Sequence, residues 1–166
     1  SRLTAVGLRP INNIVDISNY VMLELGIPLH IFDRDLMEGS EINIERLKGA
    51  KKFTTLDQVE RDLNNSDTVI SDAKKPLVLA GIMGGLNSGV SDSTSNIFIE
   101  VANWKAADVR KTSTRLGLRT DSSQRYEKTL DTELLERTLL RALELVLELS
   151  PDAKVIGKME YDGMDL

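Results

Sequence analysis

One histidine, His30, lies in the stretch GIPLHIFD, and the chain has no cysteine. That pairing of facts narrows the available chemistry. Disulfides and thiolate metal sites are excluded, and a metal centre would have to rest on carboxylates around a single imidazole. A serine-hydrolase arrangement lacks its G-x-S-x-G turn and any visible base–nucleophile pair. His30 therefore acts alone or with a bound water, or it is a half-buried structural side chain. Glu100, in NIFIEVANW, is the second candidate. It shares a strand face with Phe98. Either it points toward an apolar interior, where a carboxylate requires a partner, or it is an edge charge facing water. In the first case it is a fixed acceptor for a substrate hydroxyl or ammonium.

Three further stretches have suitable residue types. RTDSSQRYEK places Thr120, Ser122 and Ser123 between basic residues. Such short hydroxyl side chains suit a pocket wall, or a polar loop capping the next helix. Ser18 and Asn19 fall within a helical pattern, where both are unfavourable unless their side chains have partners. GIMGG, residues 81–85, brings Gly84 and Gly85 to the end of an apolar strand. Its spacing fits neither a dinucleotide fingerprint nor a phosphate loop. It is a tight turn or bulge, or a place where a ligand or another chain segment approaches the backbone.

These residues need elements to position them. RPINNIVDISNYVMLELG has a helical period through Ile14, Ile17, Val21 and Leu25. Pro10 suits its first turn and Gly26 its stop. PLHIFD then runs extended. SEINIERL alternates as a strand, KKFTTLDQVERDL has a strand–turn–strand pattern, and DTVISDA and PLVLAGIM are apolar runs of strand length. NIFIEVANW places Ile97, Ile99 and Val101 on one face and Phe98 and Glu100 on the other. ADVRKTSTRLGL predicts a short helix closed near Gly117. DTELLERTLLRALELVLELS predicts a long amphipathic one, with Asp131 as its cap. AKVIGKMEY predicts a last strand. A helix, a run of strands, then helices indicates an α+β chain with mixed sheets, an N-terminal helix and C-terminal helices.

The bulk properties set outer limits. The 166 residues carry a net charge of −5, against a broad phosphate-binding surface, although Lys and Arg cluster locally over residues 105–128. The longest apolar run is far short of a membrane span and no signal peptide is visible, so no membrane partner is expected, while the absence of cysteine fits a cytoplasmic location. The chain begins SRLTAVGLRP without an initiator Met, and both ends are expected to lie within a longer protein.

Taken jointly, RPINNIVDISNYVMLELGIPLHIFD, LAGIMGGLNSGVSDSTSNIFIEVANW and TSTRLGLRTDSSQRYEKTLD resemble the editing module of the bacterial phenylalanyl-tRNA synthetase beta subunit, in its third and fourth domains. Their order and spacing match over roughly residues 8–150. The resemblance implies a layered β/β/α fold, with residues 1–166 as one module excised from a longer beta subunit. It implies post-transfer editing, the hydrolysis of tyrosine wrongly esterified to tRNA(Phe). His30 and Thr120 would then be catalytic. Glu100 would bind the tyrosine hydroxyl, and Ser18, Asn19, Gly84, Gly85 and Ser122 would complete the substrate pocket. No metal or cofactor belongs to this module, because ATP and Mg serve a separate aminoacylation site on the alpha subunit. The implied partners are the acceptor end of tRNA(Phe), the tyrosine moiety, and the alpha subunit within a heterotetramer. The alternative is a non-catalytic module of the same synthetase that binds the acceptor end or the alpha subunit, or serves only structurally. The chain departs from the family pattern at Ser18 for threonine, Ser122 for alanine, Leu86 for an acidic residue and TLD (129–131) for GVD.

Overall fold

The computed structural model describes residues 2–158. A single turn of helix, α1 (Arg2–Ala5), which the sequence pattern does not announce, precedes α2 (Asn13–Leu25). Helix α2 begins later than Pro10 suggests, because Asn12 is the cap. Asn12 Oδ1 accepts from Val15 N at 2.9 Å, and Asp16 Oδ1 accepts from Ile11 N at 2.9 Å. Two otherwise unpaired donors are thus satisfied at the entry. Gly26 ends the helix in the left-handed region (φ 80), where its N–H reaches Met22 O, a conformation costly to a side chain with a Cβ.

The chain then enters β1 (Leu29–Asp33), which pairs antiparallel with the distant β8 (Ile97–Val101). Between them come β2 (Asn43–Arg46), the hairpin β3 (Lys51–Thr54) and β4 (Glu60–Leu63), then β5 (Thr68–Ser71), β6 (Pro76–Leu79) and β7 (Met83–Gly84). β2, β5, β6 and β7 form one four-stranded sheet in that order, and β3–β4 stands as a separate ribbon. Every pairing is antiparallel. The apolar run PLVLAGIM is not one strand. It ends at Leu79, because Gly81 takes φ 69 and Ile82 N bonds back to Leu79 O, turning the chain into β7.

Three helices follow: α3 (Ala106–Leu116), stopped by Gly117 at φ 60, then α4 (Asp121–Tyr126) and α5 (Leu134–Leu149). The hydroxyl-rich stretch around Ser122 is not a loop capping the next helix. It is a helix of its own, because Thr120 and Ser123 form a reciprocal capping box. Asp131 does not cap α5. Its carboxylate accepts from Glu133 N in a turn, and the helix starts at Leu134. The last strand expected over 153–161 is absent as far as Lys158, and its remainder lies outside the described residues.

Strand alternation sorts the β1–β8 ribbon into two faces. Leu29, Ile97 and Ile99 pack on Ile17 and Val21 of α2 and on Ala142 and Val146 of α5. Phe32 and Phe98, on the opposite face, join Ile70, Leu77 and Val78 of the four-stranded sheet. The order is therefore helices, ribbon, sheet, which realises the α+β class read from the sequence pattern and the layering that the resemblance implies. A third cluster, with Phe53, Leu63, Val69, Leu79, Val109 and Tyr126, joins the sheet to the hairpin, α3 and α4. Fully buried Asp67 stitches this side together by accepting from Thr112 Oγ1 (2.8 Å), Asn64 N (2.8 Å) and Arg115.

Candidate functional site

The inner face of the β1–β8 ribbon carries two polar residues in register. His30 is the direct cross-strand partner of Glu100, a position where side chains on one face lie within contact range. Each residue as a whole keeps some exposure. His30 Nε2 and Glu100 Oε1 are nevertheless withdrawn from solvent, and neither has a hydrogen-bond partner. Burying such groups unpaired costs free energy. Burial pushes the Glu100 carboxyl up to about 8 and the His30 imidazole down to about 4. At neutral pH both are therefore mainly uncharged. The imidazole remains a proton acceptor, and the acid both donates and accepts.

Both side chains open into one partly open pocket, whose walls also include Pro28, Gly84, Ser122 and Tyr126. Gly84 explains how the imidazole fits. A Cβ there would stand 2.9 Å from His30 Nε2 and 3.0 Å from Leu56 Cδ1, and closer still to His30 Cε1. Phe32 packs against the imidazole edge-on, with ring centroids 4.5 Å apart. The histidine is thus held between a bare backbone and an aromatic ring, with Nε2 left over.

The other expected residues divide. Gly85, Thr120, Ser18 and Asn19 are not among the pocket walls. Gly85 N bonds to Leu77 O at 2.7 Å, and a Cβ would collide with that oxygen and with Phe53. Gly85 therefore serves the close packing of the sheet on the hairpin. Thr120 Oγ1 donates to Ile82 O (2.8 Å) and accepts from Ser123 N (3.0 Å). Its hydroxyl hydrogen is committed to a backbone segment that itself lines the pocket. Ser18 Oγ donates to Val15 O within its own helix at 2.7 Å, and Asn19 sits half-buried on α2.

Sequence reasoning passed over Tyr126 and Trp104, both of which line the pocket. Aromatic residues near apolar runs read as ordinary core. The available signal was spacing: Tyr126 follows Ser122 by four residues, on the same helical face. The Tyr126 hydroxyl bonds to Pro28 O and Ala102 O, each at 3.0 Å. Its phenol is pushed upward by burial and then by Glu100. Among the described residues, no group of three or more His, Asp or Glu could hold a metal ion, and no helix is long and apolar enough to cross a membrane.

The B3/4 domain family matches residues 1–151. The chain belongs to the B3/4 domain family. This B3/4 domain is 50% identical over 149 residues to a phenylalanine–tRNA ligase beta subunit of Carboxydothermus hydrogenoformans, covering 90% of the chain and 19% of that protein. It is 47% identical over 159 residues to the beta subunit of Geobacter metallireducens, covering 96% and 20%. With the beta subunit of Clostridium acetobutylicum the identity is 48% over 159 residues, again 96% and 20%. The chain thus spans about a fifth of the length of these relatives.

Proposed function

We propose that this B3/4 domain works within a phenylalanine–tRNA ligase and hydrolyses tyrosine wrongly esterified to tRNA(Phe). The observation that carries the reading is the cross-strand pair His30–Glu100, with an unpartnered buried polar atom on each member facing one pocket. The likeness to phenylalanine–tRNA ligase beta subunits supports the ligase context.

A site built for phenylalanine rejects an added hydroxyl only weakly, by about 10²-fold. A second site can require the hydroxyl instead. Glu100 Oε1 is satisfied by a phenol and left unpaired by a phenyl ring, a difference of ~1–3 kcal/mol, or roughly fivefold to 150-fold. Hydrolysis of an aminoacyl ester needs no protein nucleophile. It needs a placed water and a polarised carbonyl. Neutral His30 accepts a hydrogen bond from that water, or from a ribose hydroxyl of the tRNA terminus. Gly84 leaves space for the imidazole, Ser122 adds a polar point on the wall, and Thr120 holds the Ile82 segment in place. Ser18, Asn19 and Gly85 act through the helix and sheet that support these groups. The domain's negative charge favours phosphate contacts made by other parts of the ligase, whose aminoacylation site lies on the separate alpha subunit. The corresponding setting is the cytoplasm.

The test is tyrosyl-tRNA(Phe) deacylation by the full enzyme carrying Glu100→Ala. Loss of the preference for tyrosyl over phenylalanyl ester is expected. An unchanged preference would overturn the reading and favour a non-catalytic binding role.

A further inference from the structure

Three titratable side chains line the pocket, His30 from β1, Glu100 from β8 and Tyr126 from α4. The third does not point its polar atom at a ligand. The Tyr126 hydroxyl sits between Pro28 O, one residue before β1, and Ala102 O, one residue after β8. Backbone chemistry explains the arrangement. The ladder's last pair is Leu29 with Val101. Continuing it would require an N–H at position 28, which proline lacks. Two carbonyl oxygens are left at the end of the ribbon, and one phenol hydrogen is shared between them. Helix α4 is fixed at its other end too, where Thr120 Oγ1 donates to Ile82 O. Ser122 stands on the pocket wall between these two attachments. Gly81 makes room for the aromatic end, since a Cβ there would lie 2.9 Å from Trp104 Cδ1 and 3.2 Å from Tyr126 Cδ2.

We propose that Tyr126 is a positioning residue: its hydroxyl replaces the missing rung of the β1–β8 ladder and so fixes the spacing of His30 and Glu100 across the pocket. The role rests on the hydrolytic reading of the site for its functional consequence, but not for its geometry. Without the hydroxyl, the ends of the ribbon separate two residues away from both polar groups, and water reaches Nε2 and Oε1. The ring and its apolar contacts remain, so Tyr126→Phe keeps the fold.

The lone histidine supplies the readout, because the imidazole carbon-bound protons of His30 form a unique set in the NMR spectrum. In the unaltered chain, where burial pushes His30 down to about 4, the midpoint should fall well below the ordinary imidazole range. In Y126F it should climb toward the ordinary value of 6.5 as burial is relieved. A full enzyme carrying Y126F should hydrolyse tyrosyl-tRNA(Phe) with its tyrosyl-over-phenylalanyl preference reduced roughly tenfold. Tyr20→Phe, which removes a hydroxyl bonded to Arg2 and Glu24 on the surface, should leave both readouts in place. A lowered melting temperature with the His30 midpoint unmoved would make Tyr126 a mere brace and overturn the proposal. Absence of hydrolysis in the unaltered full enzyme would overturn the editing reading alone, since the titration still decides the spacing role.

Discussion

The uncharged pair at the centre of the pocket should be visible in the pH dependence of folding. Consider Glu100→Gln, which keeps shape and removes one titration. The fold raises Glu100 from 4.5 to about 8 and lowers His30 from 6.5 to about 4, in both cases by burial. For Glu100, the stability present below pH 4.5 is lost as pH rises toward 8, because the unfolded chain gives up a proton that the native chain retains. For His30 the sign reverses: stability rises with pH from about 4 to 6.5. Between pH 4.5 and 6.5 each state holds one proton on the pair, so the two slopes cancel. From 6.5 to 8 the native state alone holds a proton, and stability falls by about 2 kcal/mol at 1.36 kcal/mol per pH unit. In E100Q only the histidine slope remains. That chain should gain about 3 kcal/mol between pH 4.5 and 6.5 and then level off. The assay is urea unfolding of both chains at half-unit intervals from pH 4 to 8.5. Subtracting the curves cancels all other groups and leaves a difference that widens by about 5 kcal/mol across the range. A difference that stays flat would show that Glu100 titrates as an ordinary exposed carboxylate, and the account of a withdrawn, unpaired acid would fail.

Other perturbations follow from the same geometry. Gly84→Ala should displace the imidazole and destabilise the chain by ~1–3 kcal/mol through overpacking; a melting temperature and a His30 NMR environment both unchanged would contradict the contact at Gly84. His30→Ala in the full enzyme should slow tyrosyl-tRNA deacylation while aminoacylation is unaffected, and an undiminished deacylation rate would remove the histidine from the reaction. Ser122→Ala should shift the tyrosyl-over-phenylalanyl preference by less than about tenfold, the worth of one hydrogen bond, with stability within ~0.5 kcal/mol of the parent; a larger loss of stability would mean that the hydroxyl is structural. Asn12→Ala should cost about 1 kcal/mol through loss of the α2 cap, measured by denaturant unfolding, and no loss would reinstate Pro10 as the start of the helix.

Residue types carried much of this site, and spatial partnership carried the rest. The face shared by Phe98 and Glu100 follows from strand alternation, and the structure confirms it. Gly84 was legible as a close approach, but its occupant, the chain's own histidine, depends on the pairing of β1 with β8. No local pattern encodes a register between positions so far apart in the chain. Pro10 misplaced the start of α2, because a proline suits many first turns whereas the Asn12 cap required knowing which N–H groups lacked partners. The last strand expected over AKVIGKMEY does not form over residues 153–158, where no strand partner is in register with it. Tyr126 escaped notice because its role lies in two backbone oxygens that sequence does not display.

The β1–β8 ribbon closes with Asp33 opposite Ile97, so everything between those residues departs from and returns to one place. The sheet and the hairpin are therefore a single excursion of the chain, enclosed by the two strands that carry the polar pair. Bringing those strands together closes a long loop, and the entropy of that closure must be met before the pocket exists. Until β8, and then α4, have emerged during synthesis, His30 has neither its partner nor its wall. The site is thus a report on completed topology: a chain that collapses without joining these two strands keeps every candidate residue and has no pocket.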